Sequence, residues 1–191
     1  MSLIGQVRLL FVIPAPRAGA DEAATVAALA AQSGDRDAAA TLVRLTQAEV
    51  WRFVAALVDR DAADDLTQET YLRAFRALPG FAARSTALTW LLGIARHACA
   101  DHIRTLQRRR RLAFRVPAPA VEPDHAGLLG AADLIHRLGD DRRGAFVLTQ
   151  VIGLSYAQVA EIEGVPIGTI RSRVARARDE LMAAVQAARA G

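Results

Sequence analysis

Pro117, Pro119 and Pro123 crowd one short stretch, RVPAPAVEPDHAG, in mid-chain. Proline lacks the backbone N–H and clashes with the preceding helical turn, so no helix crosses this stretch. On both sides of it apolar residues recur at the helical period, while alternating Val and Ile are scarce and aromatic residues make up only 5%. The pattern predicts an all-α chain: two small helical domains joined by a flexible Pro-rich linker. With 191 residues there is room for that. The expected domains span residues 22–110 and 128–188, with the linker at 111–127. Residues 1–21 read as a disordered extension. Its apolar run, Leu9 to Ile13, is too short for a membrane span or a signal-peptide core. A cytoplasmic protein with no membrane partner is expected.

Charge is divided unevenly between the parts. All 24 basic residues are Arg, and the net charge is +4. Residues 35–80 carry six Arg against eight acids, and residues 81–115 eight Arg against one Asp. Residues 116–141 hold one Arg against five acids, and residues 142–191 seven Arg against four. Two basic zones flanking an acidic one suit a nucleic-acid partner. Cys99 is the single cysteine, which excludes an intramolecular disulfide framework.

Three patterns organise the first domain. Near 37–59, Val50, Phe53, Val54 and Leu57 form an apolar stripe. In DDLTQETYLRAFRALPGF the stripe is Tyr71, Ala74, Phe75 and Leu78, and Pro79-Gly80 ends the helix. Its other face holds Asp65, Glu69, Leu72 and Arg76. A third helix starts at Ser85 or Thr86 as N-cap and turns Leu88, Leu91, Leu92, Ala95, Cys99 and Ile103 inward. Its outer face carries Trp90, Ile94, His97, Asp101 and Arg104, with Arg96 beside them. An aromatic ring among arginines suits unstacked bases. The same pattern also fits Trp90 as a core residue beneath solvated arginines.

The second domain contains SYAQVAEIEGVPIGTIRSRV, which fits a helix-turn-helix. Small Ala160 marks the close crossing, Gly164 the turn, and Val165, Ile170 and Val174 the inter-helix core. Pro166 stands near the start of the second helix, where a missing N–H costs little. The exposed face then presents Thr169, Arg171, Ser172, Arg173 and Arg176. Arginines on such a helix can pair with guanine edges in a major groove, and Ser with phosphates or bases.

In order, DDLTQETYLRAF, FAARSTALTWLLGIARHACADHIR, the proline break and VLTQVIGLSYAQVAEIEGVPIGTIRSRVARARDEL resemble bacterial RNA polymerase sigma factors. The similarity is to the small extracytoplasmic-function (ECF) class, of the actinobacterial sigma-C type. It covers residues 35 to 185. The resemblance implies a protein that binds core polymerase, directs it to promoters and helps open the DNA. By it, Asp64, Asp65, Leu66, Gln68, Glu69 and Leu72 would dock on the polymerase clamp helices. Phe81, Ser85, Trp90, Arg96, His97 and Arg104 would meet the minus-ten element and its melted non-template strand. His97 stands where some relatives carry Asn. Thr169, Arg171, Ser172, Arg173 and Arg176 would meet the double-stranded minus-thirty-five element. The segment from Arg142 to Gln150 would pack on the polymerase flap, and the linker, with Glu122 and Asp124, would thread toward the active-site cleft. The resemblance admits an anti-sigma factor as a further partner.

No cofactor, metal or catalytic set is expected. An enzyme built on His97, Cys99 and His102 is disfavoured because Cys99 falls across the helix from His97, and neither HExxH nor CxxC occurs. A helix-turn-helix regulator acting without polymerase would leave the DDLTQET helix unexplained. An adaptor that binds polymerase but not DNA would leave the arginine-bearing helix unexplained.

Overall fold

A computed structural model of the chain describes residues 19–113 and 131–190. The expected N-terminal extension up to residue 18 lies outside the described residues. So does the linker from 114 to 130, with its prolines, Glu122 and Asp124. The regular elements among the described residues are all helical.

The first domain holds four helices: α1 (Ala20–Ala31), α2 (Arg36–Leu57), α3 (Arg60–Ala77) and α4 (Ala87–Ala113). Helix α1 begins inside the span expected to be an extension, and α4 runs three residues into the expected linker. α1 packs through small residues only: Ala24, Ala27, Ala28 and Ala31 are buried. That spacing lets its backbone approach α2 closely. Asp35 caps α2 by accepting from the amides of Asp37 and Ala38 at 2.9 and 3.0 Å. The α2 stripe forms as expected, with Val50, Phe53, Val54 and Leu57 all buried.

A single 3-10 turn, Leu78–Gly80, closes α3. Gln32 holds this turn from α1 by donating to the carbonyls of Leu78, at 2.9 Å, and Phe81. Tyr71, Ala74 and Leu78 are buried, but Phe75, expected beside them, is exposed. Thr86 rather than Ser85 caps α4, its hydroxyl accepting from the Thr89 amide at 3.2 Å. Leu88, Leu91, Leu92, Ala95 and Cys99 are buried and Ile103 is half-buried. Burial pushes the Cys99 thiol up to about 12, so it stays protonated and serves as packing.

The second domain holds α5 (Ala131–Arg137), α6 (Asp140–Phe146), a π-helical turn over Val147–Ile152, α7 (Tyr156–Glu163) and α8 (Ile167–Ala190). Gly153 ends the π turn in the left-handed region at φ 90°. Ser155 and Gln158 form a reciprocal capping box at the start of α7. Gly164, at φ 64°, makes the turn into α8. Val159, Ile170, Val174, Ala177 and Leu181 bury the seam between α7, α8 and the rest of the domain.

The two domains pack against each other. The C-terminal part of α2 meets the second domain, and α4 lies beside α7. Arg143 joins them through main-chain oxygens. Its guanidinium donates to Leu57 O at 3.0 Å, across the interface. It also donates to Ile135 O at 3.2 Å, Leu138 O at 2.9 Å and His136 O. A cation is thereby set against the carbonyl ends of α2 and α5, where helix dipoles favour it.

Candidate nucleic-acid and polymerase interfaces

Helix α8 divides its arginines into two kinds. Arg171, Ser172 and Arg176 are exposed and Thr169 is half-buried. Ile170 and Val174 on the opposite side are buried, which fixes the helix's rotation. Arg171 and Arg176 make no ion pair among the described residues. Arg173 differs. Its guanidinium donates to Asp141 at 2.8 Å and to Glu163 at 3.5 Å. That residue braces the helix-turn-helix and is removed from the expected set of unencumbered DNA contacts. Arg178 is likewise held by Gln150, at 2.8 Å.

On α4 the expected minus-ten surface is partly internal. Phe81 is 6% exposed, and its ring lies 4.8 Å, centroid to centroid, from that of Trp90. It therefore supports the indole and cannot stack on a base. Trp90 and Ile94 are half-buried against the core. His97 is exposed, and its Nδ1–H donates to the Gly93 carbonyl at 2.8 Å. In the neutral ring that bond leaves Nε2 as an acceptor directed elsewhere. Ser85 is half-buried in the preceding loop, where Ala83 takes a left-handed φ of 49°, a strained choice for a residue with a Cβ. Arg104 is exposed and bonded to Asp101. Asp101 also accepts from Arg73 at 2.9 Å. The two guanidiniums, Arg73 first, hold its carboxyl below the usual carboxylate range.

Arg96 is not available on that surface. It is 15% exposed and donates to Glu163, itself 4% exposed, at 2.7 Å, with Asp141 at 3.5 Å. Glu163 ends α7 of the other domain, so one carboxylate receives an arginine from each domain. Gly144 makes room for this: a Cβ there would stand 3.0 Å from the Glu163 oxygen and 3.5 Å from Arg96 Nε. Gln158, which caps α7, also donates across the interface to the Thr89 hydroxyl at 3.2 Å. Between these contacts lies a cleft of about 260 Å³ in which Ser85, Trp90, Ile94 and His97 face Glu161 and Ile162. The sequence pattern holds no sign of this closure, because Arg96 and Glu163 stand 67 residues apart and Thr89 and Gln158 69.

On α3, Asp65, Gln68, Leu72 and Arg76 are exposed along the face expected for docking, and exposed Phe75 extends its apolar part. Leu66 is half-buried against the core instead. Asp64 accepts from Trp51 Nε1–H at 2.7 Å and Glu69 from Arg73 Nε at 2.8 Å, so both carboxylates are already oriented. The segment expected to meet the polymerase flap is largely internal, with Gly144 through Leu148 buried.

The comparisons with known proteins fit these two domains one by one. The model of Sigma-70 region 2 matches residues 42–109, and that of Sigma-70 region 4 matches residues 130–181. The ECF RNA polymerase sigma factor SigC of Mycobacterium tuberculosis is 52% identical over 169 residues, covering 85% of this chain and 91% of that protein. The chain belongs to the ECF sigma factors. As a sigma factor it binds core RNA polymerase and directs it to promoters for transcription initiation. The ECF sigma-E factor of Escherichia coli is 32% identical over 173 residues, covering 81% of this chain and 90% of that one. Among solved structures, RpoE of Bartonella quintana, in complex with the anti-sigma factor NepR, is 30% identical. It covers 75% of this sigma factor and 94% of that chain, with a TM-score of 0.65. CnrH in complex with the cytosolic domain of CnrY shares the fold at TM-score 0.68 and 24% identity, covering 86% of this chain and 98% of its own. No helix among the described residues is long and apolar enough to cross a membrane.

Proposed function

We propose that this sigma factor divides promoter recognition among three faces: Arg171, Ser172 and Arg176 on the minus-thirty-five element, His97, Arg104 and the edge of Trp90 on the opened minus-ten strand, and Asp65, Gln68, Glu69 and Leu72 on the polymerase clamp. The observation that carries the reading is the sorting of arginines on α8, where the two turned away from the buried seam are exposed and make no ion pair among the described residues. The protein performs no chemistry of its own and acts in the cytoplasm, where polymerase acts. Unstacking a base costs a few kcal/mol, and binding energy from these faces offsets it.

The packed arrangement of the two domains is an unengaged state. It sets the other domain against Trp90 and Ile94 and occupies Arg96, while His97 stays exposed, so full access to this surface requires the domains to part. Core polymerase, holding one domain on its clamp and the other on its flap, supplies that separation. The sigma factor of Bartonella quintana was solved with its anti-sigma factor, and a protein of that class is a further partner for this one.

Core-polymerase capture followed by run-off transcription tests the reading. Asp65→Arg with Glu69→Arg removes core binding. Arg171→Ala or Arg176→Ala leaves core binding intact. An arginine on a guanine edge, when removed, costs about 1–3 kcal/mol at one base pair, whereas loss of a phosphate contact weakens all sequences alike. If neither arginine variant changes minus-thirty-five binding at any sequence, α8 is not in the groove.

A further inference from the structure

A cleft of about 320 Å³ lies between the two domains, walled by the end of α2 and by α4 on one side and by α5 and α6 on the other. None of the faces assigned above uses it. His136 of α5 stands half-buried in this cleft and bonds to the main chain of Ala55 in α2, so the ring itself spans the junction. Arg143 lines the same cleft, with its guanidinium fixed on the carbonyls of Leu57, Ile135, His136 and Leu138. One cation is therefore already enclosed where the domains meet, and burial holds it below its ordinary value. Among the described residues, the charged and titratable groups around the imidazole are Asp59 just beyond α2, His102 on α4, Asp140 and Arg143 on α6, and Asp133 on its own helix. Asp59, Asp133 and the Ala55 bond favour the charged ring. Burial and Arg143 outweigh them, so the packed junction takes up this proton less readily than a free imidazole does.

We propose that this junction is a proton-operated latch: a proton taken up by His136 sets a second cation beside Arg143 and parts the two domains, leaving each folded. Parting reverses the balance around the ring. Water reaches the imidazole, the Arg143 guanidinium loses its Leu57 anchor, and Asp133 travels with the ring and continues to favour its charge. The parted state therefore binds the proton more readily than the packed one, and the proton shifts the population as any selective ligand does. The packed state is intact above pH 6.5 and gives way as the pH falls through the lowered value. The coupling is reciprocal, so whatever draws the domains apart near that pH also draws a proton onto His136. Promoter engagement becomes easier in acid, a consequence that rests on the assignment of the packed arrangement as the unengaged state.

Small-angle scattering of the full-length chain between pH 7.5 and 5.5 tests the latch, with far-UV circular dichroism as the check on folding. The parent's radius of gyration rises toward pH 5.5 with no loss of helix signal. His136→Gln, which keeps a donor for Ala55 and takes no charge, is as compact at pH 5.5 as at pH 7.5. His136→Arg, a permanent cation, is expanded at both. An unchanged radius in the parent overturns the latch, and so does equal expansion in His136→Gln. Expansion that His102→Gln abolishes and His136→Gln does not overturns it as well. Binding to a promoter fragment separates the latch from the assignment beneath it. At pH 5.5 the parent binds about fivefold tighter than His136→Gln, the low end of coupling between two sites, and at pH 7.5 the two bind equally. Expansion confined to the parent, with no difference in DNA binding, upholds the latch and removes the assignment of the packed arrangement as unengaged.

Discussion

His136 sits half-buried at the domain junction, in a cleft it shares with Asp59, His102, Asp140 and Arg143. Burial first, and the neighbouring Arg143 next, hold its imidazole below the ordinary value of 6.5, against the opposing pull of Asp59 and Asp133. The unfolded chain then binds this proton more readily than the folded one. Stability conferred by the neutral ring is complete above pH 6.5 and is lost as the pH falls through the lowered value. Thermal melts between pH 7.5 and 5.5 should therefore show a larger fall for the parent than for His136→Gln. Equal falls would assign the acid sensitivity to other groups.

At the scale of elements, the helix-turn-helix depends on a backbone conformation at Gly164. A Cβ there meets no atom within 4 Å, so the penalty for a side chain comes only from its φ of +64°. Gly164→Ala should cost about 1–2 kcal/mol in urea unfolding, and Gly164→Asn less, since Asn tolerates the left-handed region. Equal stability of all three would show that the turn relaxes into another shape. Elements of this kind were legible in the sequence because strong contrasts mark them: Val50, Phe53 and Leu57 against charged neighbours, Gly164 before Ile170 and Val174. Helix α1 was not, because its buried face is made of alanines, which differ little from exposed ones in hydropathy. Phe75 was misplaced for a different reason. Helical periodicity gives an angle, and an apolar residue at the boundary angle is buried only if a neighbouring element covers it. The site was legible as residue types and illegible as pairings. Arg96, Arg171 and Arg173 look alike in sequence, and only the carboxylates brought near two of them decide which is free.

For the molecule as a whole, closure of the two domains depends on the small space above Gly144. Removing one partner of an enclosed ion pair costs about 3–5 kcal/mol because the other charge stays buried. Gly144→Ala moves the Glu163 carboxylate without removing any charge, and alanine favours helix α6 by up to about 1 kcal/mol. The domains should keep their own stability while their contact loosens. Trp90 faces the cleft between them. In a Trp51→Phe background, which leaves a single tryptophan, Gly144→Ala should shift Trp90 emission to the red with no loss of helix signal. Unshifted emission would mean that the ion pair does not hold the domains together.

On the reading proposed above, in which the domains part on the promoter, the Arg96 that here meets the carboxylates of Glu163 and Asp141 would be released toward phosphate oxygens. Dissolved electrolyte therefore acts on both sides of one balance. It weakens the hold on nucleic acid by reducing the gain from counterion release. By screening it also weakens, to a smaller degree because the Glu163 carboxylate is enclosed, the internal competitor that must first be displaced. The two losses oppose each other, so promoter occupancy varies less with ionic strength than the number of arginines on DNA would dictate. Part of the disturbance that a saltier medium brings is thereby damped within the chain itself.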